Sequence, residues 1–416
     1  MTHPVTTDVA RVHRRTLVVV SIAQILSGFG LAAGITVGAL LAAQVWHSTA
    51  LAGVPAVIMT VGASGAALVI AGLSQRGGRR VGLGTGYAVG ALGAAGIVVS
   101  VWQHWPAVLL ASFLMYGAGS AANLQARFAG ADLAPTARRA TAMSIVLMAT
   151  TLGAVLGPVS AQWSGRIVET WGLDALLGPF VVACLAYALG ALVLAVALRP
   201  DPLLVARAMR EAQSASTHAQ AAKNPAWRSR VAAAIVIMVI AQAVMIAIMT
   251  MTPVHMRDHH HSIAAIGGVI AAHVAAMYVP SPLSGWLVDT WGGPRVAACA
   301  GVVLGAAGTV AALANPDGIA ATTLALVLLG LGWSLAMVSG SALLTQWAPA
   351  GIRTRLQGRS DALTTLAGAS GAGLAGMVVS WQGYGWLAWA GVALAALMVP
   401  VAVVVRTRRA DTMAPS

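Results

Sequence analysis

Long apolar runs separated by short polar loops set the pattern of this chain. Twelve runs can be read, from about 17–46 to about 384–405. Each has the roughly 20 residues that a helix needs to cross a bilayer. They fall into two sets of six, and the longest polar stretch, 199–230, lies between the sets. The pattern predicts an all-α integral membrane protein with twelve transmembrane helices in two six-helix bundles. The bundles are 1–198 and 231–416, joined by a cytoplasmic linker at 199–230 that is helical in part.

Composition sharpens this. Of the 416 residues, 58% are hydrophobic and only 8% charged, with a mean hydropathy of +0.82. Soluble domains carry about 25% charged residues, so neither a soluble enzyme nor a disordered chain fits. The net charge of +13 invites a nucleic-acid partner, but placement argues otherwise. With both termini inside, 22 of the 24 Lys and Arg residues fall in inner loops and tails, and only Arg166 and Arg257 face out. That is the positive-inside distribution of a polytopic protein, whose basic residues meet the lipid bilayer and not nucleic acid. The first run is too long for a signal-peptide core and reads as a retained span. Cys184 and Cys299 both lie in apolar runs and suggest no disulfide framework. No nucleophile elbow, P-loop or pair of acids appears, so neither an enzyme nor a catalytic cofactor is expected.

The two halves carry a matched loop. After span two the chain reads Ala71-Gly-Leu-Ser-Gln-Arg-Gly-Gly-Arg-Arg80, and after span eight Gly285-Trp-Leu-Val-Asp-Thr-Trp-Gly-Gly-Pro294. Gln75 and Asp289 hold the same place, 214 residues apart. Both segments resemble the GxLaDrxGrr loop of the major facilitator superfamily. The first departs from it at Ala71 and Gln75, the second at Pro294. The resemblance implies that superfamily's fold, with parallel six-helix halves around a midplane site. A tight glycine turn with a cation or carboxylate at helix ends can latch one bundle against its neighbours. The expected latch residues are Arg76, Gly78, Arg79, Gly285, Asp289 and Gly292.

Ionisable side chains are scarce inside the spans. All eleven acids lie in loops, tails or helix ends, with Asp361 the nearest to the interior. A proton-coupled carrier of organic cations usually places a carboxylate there. No Lys or Arg sits at mid-span, which disfavours phosphate or carboxylate cargo. Mid-span positions hold soft ligands instead. Span seven, about 231–256, carries Met238, Met245 and Met249. Span eight, about 263–286, carries His273 and Met277. Residues four apart share a helix face, so Met245/Met249 and His273/Met277 each make a pair. Thioether and imidazole bind soft or borderline metals without formal charge, thioether favouring Cu(I). If spans seven and eight form a hairpin centred near His259, Met245 and His273 fall at one depth, and the four make a ladder. Either pair alone is expected about by chance in a chain with 16 Met and 10 His. At the outer mouth of the same hairpin, His255, Met256, His259, His260 and His261 form a dense cluster, read as a capture site or as a solvated turn.

These motifs, with His273-Val-Ala-Ala-Met277 followed by Pro280-Ser-Pro-Leu-Ser-Gly285, resemble the CcoA-like copper importers of the same superfamily. The specific part of the resemblance is about 238–292. It implies a bacterial inner-membrane importer of copper as transported substrate, with Met245, Met249, His273 and Met277 as metal ligands. A cytoplasmic copper chaperone is then the expected receiving partner. The founding member has cysteines upstream of MxxxM, where this chain has Ile237 and Ala241. Two rival readings stand beside it. Gly153-Ala-Val-Leu-Gly157-Pro158 resembles the GxxxGP element of drug and small-molecule efflux antiporters. A membrane sensor or assembly factor would bind copper without moving it.

Overall fold

A bilayer core offers no water to backbone groups, so a spanning segment must satisfy them within itself, and helices do so. The computed structural model describes residues 4–47, 53–213, 226–315 and 317–403. Within these the chain is helical. The elements are α1 (Pro4–Val45), α2 (Val54–Gly77), α3 (Arg79–Trp102), α4 (Pro106–Ala131), α5 (Arg139–Glu169), α6 (Gly178–Ala197) and α7 (Pro202–Gln213). There follow α8 (Ala226–Asp258), α9 (Ile263–Tyr278), α10 (Ser281–Trp291), α11 (Gly293–Leu313), α12 (Ile319–Trp347), α13 (Arg353–Gln382) and α14 (Tyr384–Ala396). Twelve segments among the described residues are long and apolar enough to cross a membrane.

Helix starts follow from local chemistry. Proline opens α2, α4, α6, α10 and α11, at positions where its missing N–H costs nothing. Ser262 caps α9, its Oγ accepting from Ala265 N at 3.2 Å. The linker contains α7, and residues 214–225 lie outside the described residues. The Asp201 carboxylate serves two helix starts. It accepts from Leu203 N and Leu204 N of α7 and from Arg80 N of α3. The eighth span differs from the continuous run expected from sequence. It is α9 plus α10, interrupted where Pro280 and Pro282 remove backbone donors.

The chain divides into two compact units. Unit 1 is Met1–Ala134, Ile145–His218 and Thr354–Ala362; unit 2 is Pro135–Ser144, Ala219–Arg353 and Leu363–Ser416. The first turns of α5 thus belong to unit 2, and those of α13 to unit 1. In unit 1, α3 packs on α4 and α6, while α4 packs on α1 and α2, and α1 on α6. In unit 2, α11 packs on α12 and α14, while α12 packs on α8 and α9, and α8 on α14. The pairings match one for one. The repeat extends to the backbone. Gly78 joins α2 to α3 with φ 88°, and Gly292 joins α10 to α11 with φ 87°. Those left-handed values favour glycine at both copies.

Unit 1 is built round aromatic side chains: Tyr87, Phe113, Tyr116, Phe180 and Tyr187 are all fully buried. Tyr87 stacks on Tyr187 at 5.9 Å, and Tyr116 meets Tyr187 edge-on at 5.6 Å.

Candidate functional site

The four expected metal ligands all lie in unit 2. Met245 and Met249 are on α8, His273 and Met277 on α9. His273 is fully buried, and Met245 and Met277 are nearly so. Met249 is half-buried. His273 Nδ1 lies 2.7 Å from the Leu326 carbonyl oxygen of α12. A carbonyl only accepts, so this bond puts the proton on Nδ1 and leaves a lone pair on Nε2. Nε2 is buried and has no hydrogen-bond partner among the described residues.

The helices differ from the simple hairpin in two respects. First, α8 and α9 pack more extensively on α12 than on each other. Gln242 of α8 accepts from Trp333 Nε1 of α12 at 2.7 Å, and Ser341 Oγ of α12 donates to Met238 Sδ at 3.6 Å. Second, α8 runs through Pro253 to Asp258 instead of stopping near 256. Met249 then lies nine residues from the end of α8, and His273 ten from the start of α9. Met245 and Met277 lie 13 and 14 residues in. Measured along the helices, the matched depths are Met249 with His273 and Met245 with Met277, one rung displaced from the sequence expectation of Met245 with His273.

The histidines expected at the outer mouth have separate surroundings. His255 stacks on Tyr384 with ring centroids 4.4 Å apart and 8° between planes. The Tyr384 hydroxyl is in turn within 2.8 Å of Thr252 Oγ1. His259 meets His255 edge-on at 4.8 Å, and its Nδ1 is 3.8 Å from Asp317 Oδ1, an ion pair only when the imidazole is protonated. Met256 is 1% exposed and so faces the protein interior. His260 has φ 60°, and its N–H bonds the Arg257 carbonyl. His47 and His104 share this left-handed conformation just beyond α1 and α3. Among the described residues no three His, Cys, Asp or Glu side chains converge to hold a metal ion.

The loop residues expected to latch make defined contacts. In unit 2, Asp289 accepts from Ala140 N at 3.1 Å, Thr141 N at 2.9 Å and Thr141 Oγ1 at 2.7 Å. A carboxylate therefore caps the start of α5, where the helix dipole is positive. Gly285 lies so close to Ser144 and the Ala140 carbonyl that a β-carbon would overlap them. In unit 1, Arg79 is buried and donates to Asp132 at 2.8 Å and to Gln357 Oε1 at 2.8 Å. Arg76 is exposed in the last turn of α2. The backbone oxygen of Gln75 accepts from Arg207 Nη2 at 2.6 Å.

Two features escaped the sequence reading. The first is a buried ion pair in unit 1: Arg127 Nη2 lies 2.6 Å from Asp361 Oδ1, with side chains 0% and 1% exposed. The Arg127 guanidinium also sits 4.3 Å from the Phe128 ring centroid. The sequence shows the two only as opposite charges near the ends of their apolar runs, with Arg359 two residues before Asp361. The second is a neutral polar network. Gln24 Nε2 donates to Thr150 Oγ1 at 3.0 Å and to the Asn123 carbonyl at 3.1 Å. Tyr87 Oη donates to Gln24 Oε1 at 2.6 Å, and Asn123 Nδ2 bonds Ser27 Oγ. Tyr187 Oη is buried without a hydrogen-bond partner among the described residues.

Comparison with known proteins agrees with the paired halves. The family model described as Major Facilitator Superfamily matches residues 20–277 and 233–415. The chain is 44% identical to the uncharacterized MFS-type transporter YddS of Bacillus subtilis (strain 168), covering 94% of this chain and 91% of the relative. It is 28% identical to the riboflavin transporter RfnT of Brucella anthropi, covering 93% and 95%. The structure of the proton:xylose symporter XylE aligns with a TM-score of 0.75 at 14% identity, covering 94% of this chain and 95% of XylE. The chain is a membrane protein of twelve apolar helices, and it belongs to the Major Facilitator Superfamily.

Proposed function

We propose that the chain imports copper across the bacterial inner membrane by alternating access, with both termini cytoplasmic. The observation that carries this reading is His273. Its Nδ1 is committed to the Leu326 carbonyl, and its buried Nε2 lone pair has no partner among the described residues. Metal-ligating histidines typically donate the second ring N–H to a carbonyl or carboxylate, which fixes the tautomer and the ring. A buried polar atom without a partner calls for a ligand or an explanation. Met277 follows one turn later on α9, and Met245 and Met249 lie at similar depths on α8. Imidazole plus thioethers form a neutral ligand set that suits Cu(I). The lopsided placement of arginine supports the cytoplasmic termini. The capture residues His255, His259 and His261 stand at the end of the same helices.

The test is elemental analysis of copper, nickel, cobalt and zinc in cells expressing wild type, His273→Ala or empty vector. Copper should rise only with wild type. Equal copper in all three would sink the reading, and a fall with wild type would reverse its direction.

A second reading has its own support. The neutral network of Gln24, Ser27, Tyr87, Asn123 and Thr150 beside stacked tyrosines suits a planar, uncharged organic molecule with many hydrogen-bonding groups. The relative named as a riboflavin transporter matches along 93% of this chain. On this reading the cargo is riboflavin or a similar heterocycle. Uptake of labelled riboflavin that is lost in Asn123→Ala but kept in His273→Ala would establish it over the copper reading.

A further inference from the structure

A cavity of about 630 Å³ opens in unit 2 beside the α10–α11 junction. The ends of α10 and α12 meet there with the starts of α5, α8 and α11. Three arginines from three helices line it: Arg139 in the first turn of α5, Arg230 near the start of α8, and Arg295 in the first turn of α11. Each lies near a helix N-terminus, where the dipole adds positive potential. Asp289 is the acidic residue of the lining. Both its oxygens accept from Ala140 and Thr141, so its charge is directed at the start of α5. Trp291, 50% exposed, and half-buried Trp347 form part of the wall. Arg295 Nη1 is held toward this wall by a 3.3 Å bond to the Trp291 carbonyl.

We propose that this cavity binds the phosphate of an anionic phospholipid headgroup. Guanidinium forks match phosphate oxygens in pairs, and several arginines lining one recess suit a phosphodiester. Tryptophan at the ends of spanning helices marks the headgroup level of the bilayer. Basic pockets between helices on the arginine-rich side are the expected receptors for anionic lipid headgroups. The volume exceeds what a free inorganic phosphate fills and leaves room for the glycerol that carries the phosphate. The site is independent of the cargo, because it uses none of the Met, His or polar-network residues.

The experiment is native mass spectrometry of the purified full chain, titrated with phosphatidylglycerol or phosphatidylcholine. Wild type should retain phosphatidylglycerol in preference. Removing each cavity arginine should weaken it about fivefold. Arg139→Gln/Arg230→Gln/Arg295→Gln should abolish the preference, whereas Arg228→Gln/Arg355→Gln/Arg359→Gln, with the same charge loss elsewhere, should keep it. Equal retention of the two lipids, or a preference that survives the cavity triple variant, overturns the proposal. Glycerol 3-phosphate supplies the second arm. If it displaces the lipid at equal concentration, the soluble ion is the ligand and the lipid assignment is overturned. Should the triple variant not fold, Arg295→Gln alone must show the single-arginine loss, and an unchanged affinity there counts against the site.

Discussion

Gly358 lies against Ala71 at a separation that leaves no room for a second β-carbon. The equivalent contact in the second repeat is Gly285 against Ser144, and it is equally close. Adding 214 to Ala71 gives Gly285, and adding it to Ser144 gives Gly358. The glycine has therefore changed helices between the copies, while the close approach is kept. Ala71, which looks like a lapse from the loop motif, is accommodated by Gly358. Gly358→Val should overfill this contact and cost about 1–3 kcal/mol, read as a lower melting temperature in detergent. The double exchange Ala71→Gly/Gly358→Ser reproduces the second copy and should melt near wild type. A double variant as unstable as Gly358→Val would disprove the compensation.

Asp289 holds the start of α5 by three hydrogen bonds. Asp289→Asn keeps an acceptor but removes the charge that faces the helix dipole. A loss of roughly 0.5–2 kcal/mol is expected. Because Asp289 is on α10 and the expected ligands are on α8 and α9, the turnover rate should fall with substrate affinity little changed. A large loss of affinity in direct binding would contradict the latch.

The Arg127–Asp361 pair is fully desolvated, so breaking one side should harm more than removing both. Asp361→Leu leaves a buried guanidinium without its counter-ion, and about 3–5 kcal/mol is expected. Arg127→Met/Asp361→Leu should be closer to wild type than either single change. Folded yield and thermal stability of all four proteins close the cycle. Additive losses would mean that the two charges are not coupled.

Tyr87→Phe tests the polar network. The phenol donates to Gln24 Oε1 at 2.6 Å, and its loss leaves that oxygen buried with one partner fewer. About 1–3 kcal/mol should be lost. The effect on riboflavin uptake, if that is the cargo, should exceed the effect on stability; copper uptake should follow stability alone.

The helical membrane fold was legible because bilayer solvation imposes one rule on every span, and hydropathy records it. The repeat was legible because Gln75 and Asp289 keep their offset and share a glycine turn. Other features depended on distances that the sequence does not print. Arg127 and Asp361 are 234 residues apart and look like two helix-end charges until the helices pack. The exchange of glycine between α10 and α13 is invisible in either copy read alone. The depths expected for the ladder shifted by a rung because α8 ends at Asp258 and α9 starts at Ile263, which moved the reference points. The break in span eight could have been read from Pro280-Ser-Pro282, two missing donors in three residues.

The left-handed backbone at His47, His104 and His260 changes how the histidines expected on the outer side should be probed. All three are exposed residues just past a helix end, where asparagine, aspartate, histidine and glycine are the side chains best suited to positive φ. A histidine at these three positions thus has a stereochemical reason besides any ligand role. An alanine scan there confounds two effects, since His260→Ala removes a potential ligand and also burdens the turn by about 1–2 kcal/mol. His260→Asn keeps the turn while removing the imidazole, and His260→Gly does the same with no side chain at all. A metal phenotype common to both is a statement about coordination; one confined to alanine is a statement about the backbone.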